Sequence, residues 1–187
     1  MNSDPCVKAQ LHRRYPLASL LIYNASTILH FLLGSIGIYL AYSFSTWAGI
    51  GAGALYLAFS FVVLYVIMPL AVCTNCFYYR TDDSLCVSGL NVISKKVAQE
   101  GEPRLFASRA QGLLSHNNLY VVALMAPVVA MIPGLIINFT WLLFGLFAAL
   151  LGLLLFRFFV ILPRIACLHC CAKHRCPQAE AMGVREL

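Results

Sequence analysis

Ala48-Gly-Ile-Gly-Ala-Gly-Ala-Leu-Tyr-Leu-Ala-Phe-Ser-Phe-Val-Val-Leu-Tyr-Val-Ile-Met-Pro-Leu-Ala-Val72 runs for 25 residues without a charge and stops at Cys73-Thr-Asn-Cys76. A helix of that length, rising about 1.5 Å per residue, is long enough to cross the roughly 30 Å hydrocarbon layer of a bilayer. Three further stretches meet the same requirement: Leu17 to Tyr42, Leu119 to Ile137 and Trp141 to Leu162. The expected fold is therefore all-α, an integral membrane four-helix bundle forming a single transmembrane domain over residues 1–187. The composition agrees, with 61% hydrophobic and 11% charged residues and a mean hydropathy of +0.81, values outside the usual range of soluble domains. The first run is far longer than the ~7–15 residues of a signal-peptide core, so it is expected to stay as an anchor. No long alternation of apolar and polar residues suggests an outer-membrane barrel.

Basic residues set the orientation. Lys8, Arg13 and Arg14 precede the first span, Arg80, Lys95, Lys96, Arg104 and Arg109 lie between the second and third, and Arg164, Lys173, Arg175 and Arg185 follow the fourth. The loops around Ser43 to Trp47 and Asn138 to Thr140 carry no charge. Because Lys and Arg near helix ends are retained on the cytoplasmic side, both termini are predicted to be cytoplasmic, in a plasma or inner membrane. The net charge of +6 then finds its partner in the anionic headgroups of the lipid bilayer, and no nucleic acid is needed.

The Cys73-Thr-Asn-Cys76 exit recurs. Pro69-Leu-Ala-Val-Cys73-Thr-Asn-Cys76 and Pro163-Arg-Ile-Ala-Cys167-Leu-His-Cys170 share the pattern Pro-x3-Cys-x2-Cys, and a third thiol follows each, Cys86 after nine residues and Cys176 after five. The chain thus reads as two repeated helical hairpins, each ending in a cysteine arm (residues 73–86 and 167–177) and related by an axis along the membrane normal. The second and fourth spans run in the same direction, so their arms leave the bilayer at one face. In a reducing compartment such thiols point to metal binding or catalysis more than to a disulfide framework. Cys73, Cys76, Cys86, Cys167, Cys170 and Cys176 are the expected ligands. An all-thiolate set suits an iron-sulfur cluster; zinc is the alternative, with His169 and His174 able to join the thiolates. Acylation of membrane-proximal cysteines is the plain reading, but it does not account for two matched triplets. Cys6 is read as incidental and Cys171 is left unassigned.

Three polar side chains within the spans are candidates for contact with a cofactor or a membrane-soluble molecule. His30 lies about 20 Å along the first helix and Asn24 two turns before it. Arg157 lies about 15 Å before Cys167 in the fourth span. Intramembrane ionisable groups are functional candidates by default; the ordinary alternatives are a neutral His30 bonded to a neighbouring helix and an Arg157 snorkelling to the headgroups. Gly49 and Gly53 form a Gly-x3-Gly pair suited to close helix packing, and Pro127 and Pro133 are expected to kink the third span.

Between the second and third spans, Val87 to Val97 reads as a short cytoplasmic amphipathic helix at the membrane surface, and Leu105 to Leu114 as a second. The sequence contains no Gly-x-Ser-x-Gly, phosphate-binding glycine loop or His-Glu-x2-His, which removes the common hydrolytic chemistries. Three functions remain. First comes a membrane redox or electron-transfer protein, with a membrane oxidoreductase as its enzymatic form, then a zinc-stapled scaffold docking a soluble partner on the cytoplasmic face, and last a soft-metal-ion transporter.

Overall fold

The computed structural model describes residues 6, 11–43, 45–108 and 115–185. Lys8, Arg109 and the end of the Leu105 to Leu114 piece lie outside these residues. Helix α1 covers Leu17–Ala41, α2 Thr46–Val62, α3 Phe77–Arg80, α4 Leu90–Val97, α5 Pro103–Ser108, α6 His116–Ile137, α7 Trp141–Phe156 and α8 Pro177–Ala181. Four helical stretches are long and apolar enough to cross a membrane: Leu17–Ala41, Thr46–Asn75, His116–Ile137 and Trp141–Cys167. They coincide with the four expected spans.

The second and fourth stretches outrun their expected ends for the same reason. Proline lacks the N–H that an α-helix needs and its ring crowds the carbonyl four residues back. Instead of stopping, the chain widens into a π-helix, over Val63–Val72 around Pro69 and over Arg157–Cys167 around Pro163. Each widening begins six residues before its proline. Each also ends in the same tight turn, in which the second cysteine amide donates to the first cysteine carbonyl, Cys76 to Cys73 at 3.1 Å and Cys170 to Cys167 at 3.2 Å. Ser94 Oγ supports the first widened segment by donating to the Pro69 carbonyl at 2.7 Å.

Helix α1 packs against α2, α6 and α7, and α6 also touches α2 and α7, so the first and third spans form the middle of the bundle. Small residues let them meet. A Cβ on Gly34 would lie 2.8 Å from Pro127 Cβ, and one on Gly134 would lie 2.6 Å from Ala41 Cα. The Gly-x3-Gly pair of α2 works in the same way: Cβ atoms on Gly49 and Gly53 would each sit 2.8 Å from a backbone oxygen of α1, those of Tyr39 and Ser35. Helix α6 continues through both prolines. The Ala123 carbonyl, deprived of an amide by Pro127, accepts from Tyr56 Oη of α2 at 3.1 Å, the kind of substitution that lets spans tolerate proline.

Burial is reversed relative to a soluble bundle. Thr27, His30, Ser60 and Arg157 are inside, while Leu21, Leu55, Val129, Ile136, Leu142 and Phe159 face out. Trp47 and Trp141 are exposed together at the uncharged end, where interfacial aromatic residues are expected. In α4, within the segment linking α2 to α6, Leu90, Asn91 and Ser94 turn inward and Val92, Ile93 and Val97 are exposed; the buried polar pair builds the cysteine end.

Candidate metal centre

The cysteine end is assembled from three pieces of chain. Two are the expected arms. The third is the polar lead before α1, whose residues 11–15 run extended between them. His12 N donates to the His169 carbonyl at 2.7 Å, Tyr15 N to the Leu85 carbonyl at 2.9 Å, and Leu85 N to the Arg13 carbonyl at 3.1 Å. One edge of the lead is thus bonded to the second arm and the other to the first. Two buried tyrosines lock the arrangement: Tyr15 Oη donates to the Ala166 carbonyl at 2.5 Å, and Tyr78 Oη to the His12 carbonyl at 2.6 Å while accepting from Cys171 N at 3.3 Å. The rings of His12 and His169 lie 4.9 Å apart. Sequence reading missed this strap because bridges between residues 12 and 170, or 14 and 85, leave no local periodicity.

The loop that carries Cys86 is held by one side chain. Asn91 Oδ1 accepts from Cys86 N at 3.1 Å, and Nδ2 donates to the Ser84 carbonyl at 2.9 Å and the Tyr78 carbonyl at 3.4 Å. Ser84 Oγ adds a bond to the Tyr78 carbonyl at 2.6 Å.

These pieces enclose a cavity of about 200 Å³ that Cys73, Cys76, Cys86, Cys167, Cys170 and Cys176 all line. Lys173, also buried, joins them. Burial pushes the Cys170 thiol up to about 11; amide and hydroxyl bonds from Ala172 and Tyr78 restrain it, while Cys176 and Cys86 push it further. Burial likewise raises Tyr15 and Tyr78, each with added repulsion from Cys170 and Cys86. Thiols from the two arms therefore sense one another through the same pair of tyrosines. His12 is lowered by burial and by His169. Among the described residues, no three His, Cys, Asp or Glu side chains are already gathered to hold a single ion. The Cys170 thiol, raised in this way, stays protonated near neutral pH, and a bound metal is what would ionise it.

Cys6 and Cys171 are joined as a disulfide, with Cα atoms 5.4 Å apart. This pair ties the start of the chain to the second arm and gives Cys6 a place in the site that its isolation in sequence did not suggest.

The three polar candidates within the spans do not line the cavity. His30 is buried with Nε2 3.0 Å from the Leu124 carbonyl, and because a carbonyl only accepts, Nε2 carries a proton. Asn24 Nδ2 donates to the Leu20 carbonyl at 2.8 Å and the Ser88 carbonyl at 3.2 Å, fastening α1 to the linking segment. Arg157 turns into the bundle, not toward the headgroups. It is 2% exposed, donates to Thr27 Oγ1 at 2.6 Å and to Tyr120 Oη, and has its guanidinium carbon 4.6 Å from the Tyr23 ring centroid. Tyr23 and Tyr120 do line the cavity, so Arg157 stands directly behind its membrane-side wall. Compared with family profiles, curated proteins and solved structures, the chain matches none.

Proposed function

We propose that this is an electron-transfer protein of a plasma or inner membrane, with both termini cytoplasmic, whose two cysteine arms hold an iron-sulfur cluster at the cytoplasmic face and exchange electrons with a membrane-soluble molecule. The observation that carries the reading is that the six cysteines of two distant sequence motifs line one cavity. A duplicated hairpin accounts for the matched widening before Pro69 and Pro163 and for the identical cysteine turns. The exposed Val92, Ile93 and Val97 of α4 suit a helix lying in the headgroup region. A cluster places several irons among its thiolates and so fills a void, whereas one zinc ion at about 2.3 Å from each sulfur draws four sulfurs together. The all-thiolate set of six cysteines favours the cluster.

The test is anaerobic purification followed by iron, zinc and acid-labile sulfide analysis and an absorption spectrum. Iron and sulfide in comparable amounts, lost in both Cys73→Ser and Cys167→Ser, are expected. A colourless, iron-free preparation refutes the cluster, and about one or two zinc per chain in its place would establish the stapled scaffold with a soluble docking partner.

A further inference from the structure

The cavity has two chemically different ends. Tyr15 and Tyr78 stand at one end with the cysteines; at the other, Tyr120 Oη accepts from Arg157, whose guanidinium carbon lies 4.6 Å from the Tyr23 ring centroid. That second end holds too many donors. Thr27 Oγ1 and Ser26 Oγ each donate to the Tyr23 carbonyl, at 2.7 and 3.0 Å, so toward Arg157 they can only accept. Arg157 also donates to Tyr120 Oη, and its Nε has no partner. Both phenol rings line the cavity, and a phenol that accepts from a guanidinium still has its own proton to donate. The four spans contain no Asp or Glu, and the described ion pairs of Asp83, Glu100 and Glu180 are with Arg14, Arg80 and Arg185. A buried guanidinium without an anion is strongly unfavourable.

We infer that the membrane-side end of the cavity binds the oxyanion head of an amphiphile, a carboxylate or phosphate, received by the Tyr120 and Tyr23 hydroxyls with Arg157 supplying the counter-charge. The tail lies along Leu64, Met68, Val72 and Leu162, which line the same cavity. As a binding site this goes beyond the redox reading and stands on the charge balance of the buried Arg157.

Electron paramagnetic resonance of the full-length protein in phosphatidylcholine nanodiscs tests it with three spin-labelled probes: stearic acid, phosphatidylglycerol and phosphatidylcholine. Surface lysines and arginines also attract anionic lipid, but 1 M salt shortens the screening length to about 3 Å, so the comparison is made there. At least one anionic probe is expected to show a motionally restricted component at least fivefold above that of phosphatidylcholine. Restriction of stearic acid alone identifies a free carboxylate ligand, and restriction of phosphatidylglycerol a phospholipid. Arg157→Gln should remove the preference and Tyr120→Phe should reduce it severalfold; if the arginine variant does not fold, Tyr120→Phe and Tyr23→Phe, which keep the charge, serve in its place. Equal restriction of all three probes in the wild type, or a preference that survives these substitutions, overturns the inference. Iron content measured on the same samples reports on the cluster separately, since the probe preference does not require metal.

Discussion

Replacing Asn91 by alanine should release Cys86 from the cavity without touching any cysteine. Asn91 is 1% exposed and makes four bonds within the loop, the longest two at 3.4 Å to the Tyr78 carbonyl and to Ser84 Oγ. The Tyr78 carbonyl keeps its 2.6 Å bond from Ser84 Oγ, so the substitution strands two groups, the Cys86 amide and the Ser84 carbonyl. Each stranded group costs about 1–3 kcal/mol where water cannot replace the partner. Because this loop is only partly buried and can open to solvent, the lower end applies, about 2 kcal/mol in total. At that value the open form of the loop becomes about 30-fold more populated. Maleimide labelling of the metal-free protein in detergent, read peptide by peptide by mass spectrometry, measures this directly, with Cys170 and Cys176 as internal references. Cys86 should label about 30-fold faster in Asn91→Ala, with the references little changed. A Cys86 rate within about twofold of wild type would show that Asn91 does not hold the loop.

Three further outcomes follow from the same geometry. The Cys170 thiol, raised from 9.0 to about 11 in the fold, favours the protonated state; its contribution is complete below about pH 9 and lost as pH rises through about 11. The metal-free wild type should therefore lose up to about 2–3 kcal/mol more than Cys170→Ser between those limits, and parallel melting profiles would contradict the burial argument. Gly53→Leu should destabilise the bundle by about 1–3 kcal/mol or more, because its Cβ meets the Ser35 carbonyl at 2.8 Å, whereas Gly51→Leu, with nothing within 4 Å, should melt as wild type does. If the cysteine end is cytoplasmic, glutathione keeps Cys6 and Cys171 reduced in the cell, and acid-quenched differential alkylation should find them as thiols that pair only on aerobic purification. A bond already present in the cell would place that end on the oxidising side and reverse the proposed orientation.

Much of this architecture was legible in the chain because the membrane imposes local rules. Span length, the uncharged loops and the Gly49/Gly53 pair are each properties of one stretch of sequence, and each is where it was expected. The Pro-x3-Cys-x2-Cys repeat identified the arms, since proline and cysteine spacing act within a few residues. What escaped was everything created by contacts between distant segments. The lead before α1 looked like an ordinary basic flank, yet Tyr15 and His12 bind both arms. Asn91 and Ser94 looked like the polar face of a surface helix but point inward to the Cys86 loop and the Pro69 carbonyl. His30 and Arg157 were recognisable as unusual, but their roles depended on partners: the Leu124 carbonyl accepts from the histidine Nε2, while among the described residues no carboxylate pairs with the arginine.

The lead has a consequence for the proposed duplication. Two equivalent hairpins would present two equivalent arms, but a single strap lies between them, and its two edges differ. Toward the second arm it offers His12 N to His169, and the Tyr15 hydroxyl bonds Ala166 just before Cys167; toward the first it exchanges backbone bonds with Leu85, one residue before Cys86. The strap therefore fixes the first two thiols of the second arm but the last thiol of the first. The turn of Cys73 and Cys76 follows the widened helix around Pro69, which Ser94 supports, and is tied to the segment after α4 by Gly101 N donating to the Thr74 carbonyl at 3.1 Å. A cluster held between the proposed arms would have unequal ligands even if the arms descend from one sequence, the first two thiols of the second arm being the ones the strap secures. Under mild oxidation, Cys73 and Cys76 should become accessible to alkylation before Cys167 and Cys170. The reverse order would mean that the lead is not what stabilises the second arm.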